Sequence, residues 1–178
     1  MSPQPSSNFR LEDGAILTAE DFAKKIYISF VKDEPEQILV RLGKLIGTKI
    51  SPDKRAEFDA KFLAKLHLYC EASALRILLT ANKPENRYEQ LLEEFEKIIF
   101  PYPPNSEGIK KLTAIRAAMI DLQRMIDTPH YRHFSWARDW LLEIGCDETN
   151  PEALYLFGAL FAPTIKNISQ IVGKSEPC

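Results

Sequence analysis

The sequence predicts an all-α fold: a single-domain bundle of about seven helices with mostly antiparallel neighbours. Two observations carry that expectation. Apolar residues recur at three-and-four spacing from Thr18 to Val172, the pitch of an α-helix. Several runs open on a capping residue followed by proline, as at Ser51-Pro52, Thr128-Pro129 and Asn150-Pro151. No run of useful length alternates with period two, so no strand signal competes.

Residues 1–17 read as a flexible arm, because proline, serine and asparagine dominate the first half. Residues 18–172 form the helical domain and 173–178 a polar tail. Helix one begins at Thr18, whose hydroxyl caps free N–H groups, with Glu20 and Asp21 at the positive end of the dipole. Its inner face is Ala19, Phe22, Ala23, Ile26 and Phe30. Pro35 interrupts and opens helix two, whose stripe is Ile38, Leu39, Leu42, Leu45 and Ile46.

Helix three starts at Ser51-Pro52 and runs to Ala81. Its first half is amphipathic through Phe58, Phe62, Leu66 and Tyr69. From Ala72 to Ala81 only Arg76 is charged, which places this half among other helices at the centre. Asn82 and Pro84 end it. Helix four sets Tyr88, Leu91, Leu92, Phe95, Ile98 and Ile99 against a glutamate-rich face. The prolines of Phe100–Pro104 bar a helix there. Ser106 caps helix five, with a seam at Leu112, Ile115, Met119, Leu122 and Ile126. Helix six follows Thr128-Pro129 and turns Phe134, Ala137, Trp140, Leu141 and Ile144 inward. Helix seven follows Asn150-Pro151, is uncharged from Ala153 to Ala162, and is kinked or split by Pro163.

The 23 basic and 25 acidic side chains leave a net charge of −2, which supplies no global field for nucleic acid. The three cysteines, Cys70, Cys146 and Cys178, include no CxxC. With no signal-like apolar segment, they point to a cytoplasmic, reducing setting. No stretch reaches the roughly 18 apolar residues of a membrane span. Nucleotide-binding and hydrolase motifs are absent, and no motif carries a named chemistry or calls for a cofactor.

Four constellations merit weighing. His67, Cys70 and Glu71 share one side of helix three and offer metal-ligand types, against the plainer reading of a packed cysteine beside a hydrogen-bonded histidine. Asp127, His130 and His133 have proton-shuttle or ligand spacing, but Pro129 breaks their common face, and no metal site is expected. The segment from His130 to Trp140 packs aromatics and cations together. Tyr131, His133, Trp136 and Arg138 are its candidate ligand- or partner-binding residues, because such side chains stack and pair with anions. Arg41, Lys44, Lys49, Lys54 and Arg55 form a basic stretch best read as a solvated loop. The PxxP at Pro101–Pro104 reads as a connector, and the sequon at Asn167-Ile168-Ser169 as a chance pattern.

The apolar surplus of helices three and seven points to a non-enzymatic interaction or regulatory module that binds a protein partner or self-associates. The alternative is a small-ligand-binding domain, weakly catalytic at most, with a pocket between helices three, six and seven.

Overall fold

The structure is a computed structural model that describes residues 7–46, 52–83, 85–100, 105–127 and 151–178. It is mostly helical. Strands β1 (Asn8–Arg10) and β2 (Ile16–Thr18) precede α1 (Ala19–Ile26), a π-helical segment (Tyr27–Asp33) and α2 (Glu34–Ile46). Then come α3 (Pro52–Asn82), α4 (Glu89–Ile99), α5 (Ser106–Asp127), α6 (Pro151–Gly173) and β3 (Glu176–Pro177).

Helix α1 begins as its sequence dictates. The Thr18 hydroxyl accepts from the Asp21 N–H at 3.1 Å, and Phe22, Ala23 and Ile26 are buried. The chain does not break at Pro35. It passes through the π-helical segment and continues as α2. A proline ring clashes with the carbonyl four residues back in a regular α-helix. The wider π segment ends at Asp33 and contains Val31, four residues before Pro35, where such a clash would arise.

Helix α3 is the central element. Its 31 residues span about 46 Å at 1.5 Å per residue. It packs against α2, α4, α5, α6 and the π-helical segment. Four successive residues, Ala72 to Leu75, are buried, as a helix surrounded on several sides requires. Helix α4 buries Leu91, Phe95 and Ile99 and packs on α1 and α3. Between α3 and α4 the backbone turns at Asn86, whose φ of 54° suits an asparagine. Helix α5 is capped by Asn105 rather than Ser106: the Asn105 Oδ1 accepts from the Gly108 N–H at 2.8 Å. Its seam buries Ile115, Ala118 and Leu122 against α3, with Leu112 and Met119 half-buried. Helix α6 runs through Pro163 without splitting and buries Thr164, Ile168 and Val172.

The expectation that no strand forms is corrected. Residues read as an arm and a tail build an antiparallel sheet in the order β2-β1-β3. Phe9 faces Leu17 on one side and Pro177 on the other. A turn at Gly14, with φ of 83°, joins β1 to β2. Strands of two or three residues are too short to show alternation, and the β1–β3 pairing joins opposite ends of the chain. Phe9 is fully buried, with its ring 5.7 Å from Phe22 and stacked 5.6 Å from Tyr88. Burial on that scale stabilises by about 1.5–3 kcal/mol.

Candidate functional site

Along α3, Ser73, Arg76, Ile77 and Thr80 recur at three-and-four spacing and so share one face. That face forms one wall of a groove of about 530 Å³. Leu122 of α5 and Ala162, Ile165, Ser169 and Val172 of α6 supply the facing surfaces. The helix hydroxyls in the wall are already engaged. The Ser73 Oγ donates to the Tyr69 carbonyl at 2.7 Å, and the Thr80 Oγ1 to the Arg76 carbonyl at 2.8 Å. Their β-carbons thus join a largely apolar lining, in which Arg76 and Ser169 are the other polar side chains among the described residues.

Among the described residues Arg76 is the charged one in this lining. Its guanidinium donates to the Gln123 Oε1 of α5, a neutral acceptor. Among the described residues no carboxylate pairs with it. A second tie lies two turns earlier on α3, where the Tyr69 hydroxyl donates to the Asp121 Oδ2 at 2.9 Å. These two bonds hold α3 against α5 along the groove.

The trio read from helix three has a different surrounding. Glu71 is buried and pairs with Lys111 of α5 at 2.9 Å. Burial pushes its carboxyl above the usual range, and the Lys111 ammonium opposes that shift. Burial likewise pushes the Cys70 thiol up, out of the range where a thiolate forms. The His67 Nε2 is shut off from solvent with no hydrogen-bond partner among the described residues. Burial lowers the His67 pKa, while Glu36 and the Lys32 backbone act the other way and Lys111 adds to the lowering. Among the described residues no three His, Cys, Asp or Glu side chains are placed to hold a metal ion. Cys70 is a packed apolar group, and Glu71 belongs to an ion pair.

Tyr131, His133, Trp136 and Arg138 lie outside the described residues, as do His130, Lys49 and Pro101–Pro104. In the basic stretch, Arg55 is engaged by Asp59 at 2.7 Å. Asn167 is exposed, and Ser169 of the same sequon lines the groove. The groove wall of α3 was not singled out from the sequence. The signal that marks it is Arg76, the lone charge between Ala72 and Ala81. Among the described residues no helix is long and apolar enough to cross a membrane. No family model matches the chain, and neither a curated protein nor a solved structure matches it.

Proposed function

We propose that this chain is a non-enzymatic regulatory module that takes a small apolar ligand into the groove between α3, α5 and α6. The observation that carries this reading is the groove itself. Its volume of about 530 Å³ and largely apolar wall match the concave sites that hold small molecules, which run to roughly 300–1,000 Å³. The aromatic and cationic segment holding Tyr131, His133, Trp136 and Arg138 joins α5 to α6 in sequence, and we assign it a share in binding. The same proposal includes a cytoplasmic, single-domain bundle of about seven helices over residues 18–172, whose additional helix is drawn from the periodicity of Phe134 to Ile144.

The test is the binding of Nile red, a neutral apolar dye, to the full chain. The wild type brightens the dye, and Ala162→Trp, which fills the groove from its exposed α6 rim, abolishes the signal. Equal brightening by both proteins overturns the proposal.

Self-association is a second reading, favoured by α5. Ile109 and Ile120 are 64% and 56% exposed and lie eleven residues apart, close to three helical turns and so on one face. Sedimentation that finds a dimer in the wild type and a monomer in Ile120→Glu supports it, and a wild-type monomer at high concentration removes it.

A further inference from the structure

We propose that the ligand is an amphiphile with a single carboxylate, a free monocarboxylate of medium chain length, and that Arg76 seats its head. This rests on the groove reading above and names the chemistry it selects.

The first support is charge. Arg76 brings a full positive charge to a largely apolar groove, and its partner among the described residues is the neutral Gln123 Oε1. A guanidinium carries five N–H donors in a planar fork that matches a carboxylate, and Gln123 engages only part of that fork. The Gln123 bond also fixes the guanidinium plane, so less freedom is lost when an anion docks. The second support is the remainder of the lining. Among the described lining residues Ile77, Leu122, Ile165 and Val172 offer only apolar contact, the Ser73 and Thr80 hydroxyl protons are spent on their own helix, and Ser169 adds one further hydroxyl but no charge. One charge set in a largely apolar lining, among the described residues, is the complement of a single-headed amphiphile. A doubly charged head would leave one charge unpaired against apolar wall. The third support is size: a cavity of about 530 Å³ among three helices holds a small molecule rather than a protein segment.

The test is displacement of Nile red from the full chain by decanoate and by 1-decanol, which share a tail and differ in the head. Decanoate is expected to displace the dye at about tenfold lower concentration than decanol, the effect of one charge-assisted contact. Arg76→Met is expected to remove that preference and leave decanol unchanged. Gln123→Glu, which sets a resident carboxylate beside Arg76, is expected to do the same and serves if Arg76→Met folds poorly. Equal displacement by the two compounds, or a preference that survives both substitutions, overturns the carboxylate assignment. The groove reading fails separately, when Ala162→Trp leaves the dye signal unchanged.

Discussion

The Tyr88 hydroxyl donates to the Ser175 carbonyl at 2.8 Å, across 87 residues of sequence. The same ring stacks on Phe9. One side chain ahead of α4 therefore touches both the N-terminal strand and the segment that follows α6. Lys174 pairs with Glu12 at 2.8 Å, and the Cys178 N–H donates to the Asn8 carbonyl at 2.9 Å. The two ends of the described chain are clasped. Because Val172 and Gly173 line the groove, the clasp also positions its α6 wall.

Tyr88→Phe keeps the ring and removes the hydroxyl. We expect a loss of about 1 kcal/mol, the typical net worth of one hydrogen bond. Phe9→Ala removes a fully buried ring and is expected to destabilise by about 3–5 kcal/mol. Urea denaturation of the two variants measures both, and a Phe9→Ala midpoint equal to wild type contradicts the clasp.

Lys111 compensates a buried carboxylate. Breaking a fully buried pair costs roughly 3–5 kcal/mol, but the Lys111 side chain is 35% exposed, so Lys111→Met is expected to cost about 1–3 kcal/mol. Adding Glu71→Leu to Lys111→Met is expected to recover much of that loss, because no uncompensated charge then remains. A double-mutant cycle by denaturation reads the difference, and additive losses argue against the pairing.

The pH dependence has two arms of opposite sign. His67 has a folded pKa below its ordinary value of 6.5, so the unfolded chain holds the proton more tightly. Its stabilising contribution is complete above 6.5 and is lost as pH falls through the folded value. Glu71 has a folded pKa above its ordinary 4.5. Its contribution is complete below 4.5 and is lost as pH rises through the folded value. His67→Gln is expected to flatten the loss of stability on acidification below pH 6.5, measured by thermal melts at stepped pH. A slope identical to wild type removes His67 as its source.

Two glycines predict opposite outcomes. A Cβ at Gly14 meets nothing within 4 Å, but φ of 83° strains any L side chain, so Gly14→Ala is expected to cost about 1–2 kcal/mol. Gly173 also has open space and ends α6 without a positive φ, so Gly173→Ala is expected to be neutral or to stabilise by up to about 1 kcal/mol. Thermal melts of the pair isolate backbone strain, because neither site is crowded.

Much of the helical content was legible because burial imposes a period. Phe22, Phe62, Leu66, Phe95 and Ile115 were each placed on an inner face by spacing alone, and each is buried. Start signals were equally local, as the Thr18 cap illustrates. The terminal sheet was not legible. Its strands are two or three residues long, and the composition of residues 1–17 resembles a loop. The groove was half legible: Arg76 stood out as a lone charge, but nothing nearby in sequence names Gln123, 47 residues on, as its partner.

Local sequence thus determined where α1, α3, α4 and α5 run and which of their faces are apolar, because helix pitch and capping act over a few residues. Tertiary structure alone decided that Phe9 meets Tyr88, that Glu71 meets Lys111, and that α3, α5 and α6 leave a groove lined in part by the Arg76 guanidinium. Those relationships join residues tens of positions apart, and they arise only when packing brings distant faces together.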